Sequence, residues 1–160
     1  MPFLKLYQDS QAAWQYLTQA KKIAPETITI YGESLGGAVA IDLALKQPQA
    51  KALIVQSSFT SMTERVLEIS RLRLFPIEII LNQKFDSITK IKLLQMPVLF
   101  LHSTGDNIVK YQHSQKLYKA APYPKQLFLI PKGNHFNIYQ PNNHSYLKAI
   151  ARFIKSDRHN

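Results

Sequence analysis

Leu6, Ala13, Leu17 and Ala20 recur at near-helical spacing with Trp14 beside them, so residues 3–22 predict an amphipathic helix that Pro25 closes. The pattern then shortens. Ile28-Thr-Ile-Tyr-Gly32 is a β-rich run ending in glycine and predicts a buried strand over 28–32. Residues 35–46 are rich in Ala and Leu and predict a helix stopped before Pro48. Further buried strands are predicted over 51–57, 97–102 and 126–130, and helices over 111–120 and 143–155. Residues 61–95 have helical texture but irregular spacing, with Val66, Leu67, Ile69 and Leu72 mixed among Arg71 and Arg73, and Pro76 interrupting. The strands are apolar throughout rather than alternating, which indicates a parallel sheet covered by helices on both faces. The predicted class is therefore α/β with about four parallel strands.

The 160 residues, without repeat, linker or low-complexity segment, predict one domain over 1–160. Apolar residues make up 46% and charged residues 19%, which excludes a disordered chain. With no cysteine there is no disulfide framework, thiolate nucleophile or Cys-based zinc site. The five histidines form no H-x-x-x-H pair, so no metal or cofactor is expected. No apolar run approaches the roughly 18 residues of a membrane span. The N-terminus lacks a basic stretch followed by a long apolar one, so a cytoplasmic location is expected. The net charge of +10 is uneven: residues 107–160 hold 9 Lys/Arg against 1 Asp. Such a face can meet an anionic membrane, but the lysines are scattered, and no nucleic-acid motif accompanies them.

The candidate chemistry starts at Gly32-Glu33-Ser34-Leu35-Gly36-Gly37, where a predicted strand meets a predicted helix. This is G-x-S-x-G in the context that gives it meaning. A sharp strand-to-helix turn lifts the Ser34 hydroxyl clear of the sheet, and Gly32 and Gly36 are expected to leave room for it. The helix start aims the Leu35 backbone N–H at a developing oxyanion. A serine hydroxyl needs a base, and the base needs an orienting carboxylate. Asp106 follows the third strand and His135 the fourth, at the carboxyl ends where open parallel sheets gather their reactive groups. His102 is expected to pack or hydrogen-bond at a strand end, and His113, His144 and His159 to lie on the surface. Glu33 is expected to face solvent or the pocket rim.

The order Ser34…Asp106…His135, with the stretches Ile30-Tyr-Gly-Glu-Ser-Leu-Gly-Gly-Ala-Val-Ala40, Leu53-Ile-Val-Gln-Ser-Ser-Phe-Thr-Ser61, Pro97-Val-Leu-Phe-Leu-His-Ser-Thr-Gly-Asp106 and Gly133-Asn-His135, resembles the α/β-hydrolase superfamily. More narrowly it resembles the lipase- and thioesterase-like α/β-hydrolase domain proteins. The resemblance implies Ser34 as nucleophile, His135 as general base, Asp106 as its partner, and residues 59–95 as a small cap. Ser103 stands where that family often has glycine, which is expected to change loop shape more than chemistry. The family fold has about eight strands with the elbow after the fifth, so the chain resembles its C-terminal part. No glycine precedes Gly32 to build a second oxyanion loop.

Three readings follow. One is a serine hydrolase acting on an ester or thioester through an acyl-enzyme. Another is an inactive remnant or half of a split hydrolase, whose open strand edge at 28–31 would pair with a second copy or an N-terminal partner chain. The third is a module binding anionic membranes through Arg71, Arg73 and the basic C-terminal region.

Overall fold

Four strands pair in parallel in the order β1-β2-β3-β4, which is also their order along the chain. They are β1 (Thr29–Glu33), β2 (Ala52–Gln56), β3 (Val98–Ser103) and β4 (Lys125–Ile130). The computed structural model describes residues 2–68, 85–138 and 144–156. Parallel neighbours need crossovers, and helices supply them: α2 (Leu35–Lys46) between β1 and β2, and α5 (Gln112–Ala120) between β3 and β4. Helix α1 (Pro2–Gln15) precedes the sheet and α6 (Ser145–Ser156) follows it.

The strand and helix expectations hold to within two residues, with one difference at the start. The helix predicted over 3–22 is α-helical only to Gln15 and continues as one wider turn over Tyr16–Ala20. Of the segment 61–95, the described parts are α3 (Met62–Leu67), α4 (Ser87–Lys90) and a 3-10 turn at Ile91–Leu93. Arg71 and Arg73 lie outside the described residues, as does His159.

Burial explains the sheet's place. Every residue of β2 and β3 is buried, as their continuous apolar runs predicted. One face presents Leu53, Val55, Val98 and Phe100 to Trp14 of α1, to Ala40, Ile41 and Ala44 of α2, and to Leu117 of α5. The alanines let α2 lie close against the strands. The other face presents Ala52, Ile54, Leu99 and Leu101 to Phe153, Ala149 and Ile150 of α6. Among the described residues coverage is thinner at β1, where Tyr31 is 48% exposed. Its hydroxyl donates to Gln56 Oε1 at 2.9 Å, an oxygen that also accepts from the Tyr146 hydroxyl at 2.8 Å.

His113 corrects a second expectation. It is buried rather than on the surface, with Nδ1 2.9 Å from Thr60 Oγ1 and Nε2 3.4 Å from Glu68 Oε1. It lies four positions before Leu117, on the same inward face of α5. Burial pushes its imidazole below the usual range, against the opposing pull of Glu68 and Glu64. His144 is exposed, as is Glu33. Among the described residues no helix is long and apolar enough to cross a membrane.

Candidate active site

All the loops that carry the candidate residues leave the same end of the sheet, because parallel strands share their carboxyl ends. Ser34 sits between the last residue of β1 and the first of α2, with φ 52° and ψ −121°. This backbone conformation is unfavourable for a residue with a Cβ, by about 1–3 kcal/mol. Three contacts hold it. The Ser34 N–H donates to the Gln56 carbonyl of β2 at 2.9 Å, and its own carbonyl accepts from the Gly37 N–H at 3.0 Å and the Ser58 hydroxyl at 2.8 Å.

The glycines divide differently from the sequence expectation. A Cβ on Gly32 would lie 2.3 Å from the Gly36 carbonyl oxygen and 2.6 Å from Ala40 Cβ, so Gly32 is required as expected. Gly36 is not: a Cβ there meets nothing within 4 Å. The crowded position is Gly37, where a Cβ would fall 2.5 Å from Ser58 Cβ. The helix turns position 37 toward the loop after β2 and position 36 away from it, which counting residues along the motif does not reveal.

The strain at Ser34 gives a measurable consequence. Ser34→Gly and Ser34→Ala both delete the hydroxyl, but only glycine relieves the positive φ. The Gly variant is expected to be more stable than the Ala variant by about 1 kcal/mol, after glycine's larger unfolded-chain entropy is subtracted. Thermal unfolding of the two proteins side by side measures it, and equal or reversed midpoints would remove the strain argument.

The structure brings Ser34, His135 and Asp106 into one hydrogen-bonded line. Ser34 Oγ is 3.1 Å from His135 Nε2, and His135 Nδ1 is 2.7 Å from Asp106 Oδ2. A carboxylate only accepts, so Nδ1 carries the proton and Nε2 faces the hydroxyl as an acceptor. The other carboxylate oxygen, Oδ1, accepts from the Ile108 and Val109 N–H groups at 2.9 Å each. Burial alone would raise this carboxyl, but N–H donors from His102, His135, Val109 and Ile108 outweigh it and hold Asp106 at about 2. It is therefore ionised across the neutral range, beside an imidazole that is itself buried.

The loops bearing Asp106 and His135 are tied together directly. Ser103, fully buried at the end of β3, donates from Oγ to the Gly133 carbonyl at 2.5 Å and accepts from the Gly105 N–H at 3.2 Å. The two loops touch so closely that a Cβ on Gly105 would lie 2.4 Å from the Gly133 oxygen. Asn134 shapes the turn beyond, its Oδ1 accepting from the N–H groups of Phe136 at 3.0 Å and Asn137 at 2.8 Å. Ser58, Gly37 and the loop-to-loop role of Ser103 were not found from the sequence. Leu35 opens α2, where the first N–H groups of a helix have no intrahelical acceptor. An apolar cluster of Ala38, Phe59, Phe85 and Val109, with Leu35 and Met62 against it, lies beside this turn.

The arrangement can remove a proton from a hydroxyl and stabilise the resulting imidazolium. The chain as a whole is similar to several known proteins. In length the chain spans about half of the curated relatives it matches. It is 34% identical over 149 residues to the uncharacterized protein Rv2307c of Mycobacterium tuberculosis, covering 93% of this chain and 52% of that one. It is 27% identical over 155 residues to the uncharacterized protein YfhR of Escherichia coli K12, covering 94% and 53%. Among solved structures, a puromycin-hydrolyzing peptidase of M. tuberculosis superposes with a TM-score of 0.78 at 18% identity, over 95% of this chain and 25% of that one. The esterase domain of a Rhodothermus marinus protein gives 0.69 at 18% identity, over 95% and 68%. These likenesses show the α/β-hydrolase fold. The sequence model of the prolyl oligopeptidase family matches residues 5–158, and the chain belongs to that family.

Proposed function

We propose that Ser34, His135 and Asp106 are the nucleophile, general base and orienting acid of a serine hydrolase that cleaves an ester or thioester. The observation that carries this reading is the unbroken line from hydroxyl to ionised carboxylate, at 3.1 Å and 2.7 Å. As Ser34 Oγ attacks the carbonyl carbon, His135 Nε2 takes its proton, and Asp106 stabilises the imidazolium. The Leu35 N–H donates to the oxyanion. The imidazolium then protonates the departing alkoxide or thiolate, leaving an acyl group on Ser34. His135 next deprotonates a water that attacks the acyl carbon, and Ser34 recovers its proton as the carboxylic acid leaves.

The apolar cluster beside the turn favours an acyl group over a polar one, with the flanks of the 59–95 segment as its cover. The structural neighbours include an esterase domain and a peptidase, which fits attack on a carbonyl at this position. The test is hydrolysis of short and medium-chain p-nitrophenyl esters by the purified chain beside Ser34→Ala. Turnover that disappears in the variant is expected; equal rates in both would remove the reading.

A second reading rests on β1, which pairs with β2 alone among the described residues. An apolar groove lined by Leu6, Ile30, Leu35, Val39 and Leu43 lies beside that strand, between α1 and α2. In this reading the chain is inactive alone and joins a second chain along β1, which would complete the oxyanion site. One missing oxyanion donor costs about 10²–10³ in rate. A monomer by light scattering that turns over ester would exclude it.

A further inference from the structure

His102 lies one residue before the end of β3 and four before Asp106, and its side chain is wholly buried. Three oxygens surround it. Nδ1 is 2.7 Å from Ser114 Oγ on α5. Nε2 is 2.8 Å from the Val109 carbonyl and 3.2 Å from Asp106 Oδ2. A carbonyl and a carboxylate can only accept, so the proton must sit on Nε2 and be shared between them. With Nε2 donating, Nδ1 is free to accept the hydroxyl proton of Ser114. One tautomer thus satisfies every group around the ring.

The consequence lies at Oδ2. That oxygen also accepts from His135 Nδ1 at 2.7 Å, so two imidazoles share it, while Oδ1 is held by two backbone N–H groups. Four donors converge on one carboxylate and leave it no second rotamer of equal energy. Each added donor also draws charge from Oδ2 and weakens its attraction for an imidazolium at His135. We infer that His102 is a positioning residue that locks the Asp106 carboxylate toward His135 and, by sharing Oδ2, restrains the basicity of His135.

The inference takes its meaning from the proposed role of His135 as base, but its physical content is independent of turnover. Among the described residues, the titratable groups facing Asp106 are His102 and His135. Those facing His135 are Asp106 and, as a neutral partner, the Ser34 hydroxyl, with the Phe136 ring edge-on at 5.2 Å. On α5, His113 turns to Thr60 and Glu68 instead. A buried histidine that only filled space would not need its proton directed at the same oxygen as His135.

The test is a pH titration of the histidine ring nitrogens by NMR on the 15N-labelled full chain. Wild type, His102→Leu, His102→Gln and Ser114→Ala would be compared. In wild type, His102 is expected as a single tautomer protonated on Nε2. His102→Leu removes the shared donor, and the His135 midpoint is expected to rise by about half a unit to one unit. The Gln side-chain amide reaches the place of Nε2 with an N–H, so His102→Gln is expected to return the midpoint most of the way to wild type. Ser114→Ala keeps the imidazole but frees its Nδ1, and a smaller rise is expected. An unchanged His135 midpoint in His102→Leu, or equal midpoints in the Leu and Gln variants, would overturn the inference. If the Leu variant does not fold, an unchanged midpoint in Ser114→Ala, or His102 protonated on Nδ1 in wild type, does the same. Failure of ester hydrolysis with these shifts intact would count against the proposed function alone.

Discussion

A fluorophosphonate probe is expected to add one phosphonyl group to this chain, at Ser34, and none to Ser34→Ala. The reagent is attacked only by a serine whose proton has somewhere to go, and the structure places His135 Nε2 3.1 Å from that hydroxyl. Intact mass reads the result without any assumption about substrate. Asp106→Asn should cut the labelling rate by about 10³–10⁴-fold, because an amide no longer fixes the tautomer of its histidine. The effect has a particular cause here. An asparagine offers one acceptor oxygen where N–H groups from His102, His135, Ile108 and Val109 converge on two, and its own NH₂ would face donors. A folded wild-type chain that stays unlabelled, or labelling that survives in Ser34→Ala, would defeat the assignment of Ser34 as nucleophile.

The second large effect is on folding. Gly32→Ala is expected to destabilise the chain by about 3 kcal/mol or more, toward the severe end of overpacking changes. The new methyl would lie 2.3 Å from the Gly36 carbonyl oxygen and 2.7 Å from the Gly36 carbonyl carbon. These are backbone atoms in the first turn of α2, so no side chain can swing away to make room. The helix itself would have to lift from β1, disturbing its contacts with Ile30 and Leu53 and the hold on Ser34. Gly36→Ala is the matched control. It points into open space and lies within a helix, where alanine is favoured over glycine by up to about 1 kcal/mol. Circular-dichroism melts of both variants decide the matter: Gly32→Ala should melt far below wild type and Gly36→Ala at or above it. A Gly32→Ala midpoint within about 2 °C of wild type would mean α2 is not seated as described.

Much of this was legible in the chain because a parallel sheet is locally encoded. Its strands are short, apolar runs, and helices must separate them, so each boundary is marked by a change of period. The same logic places the candidate residues: whatever follows a strand lies at the common carboxyl end, which made Ser34, Asp106 and His135 recognisable together. Side-chain surroundings were less accessible. His113 looked like one polar residue in a polar helix, and only the packing of α5 under the loop after β2 buries it against Thr60. Gly36 and Gly37 are neighbours in sequence, yet one meets nothing and the other meets Ser58.

What the amino-acid sequence determined by itself is the class of fold, the strand-to-helix turn at Ser34 and the identity of three residues that hydrogen-bond in line. These depend on local period and on chain order. What only the tertiary structure decided is how the carboxylate and the loops are held. The register that sets Ser103 beside Ile130 brings Ser103 within reach of the Gly133 carbonyl. The pairing of Glu33 with Gln56 puts Ser58 on the Ser34 carbonyl. The seating of α5 turns Ser114 to His102, and His102 donates to Asp106. Contacts between residues 12 to 30 positions apart depend on strand register and helix seating, which are settled when the whole core packs and not by any short stretch of chain.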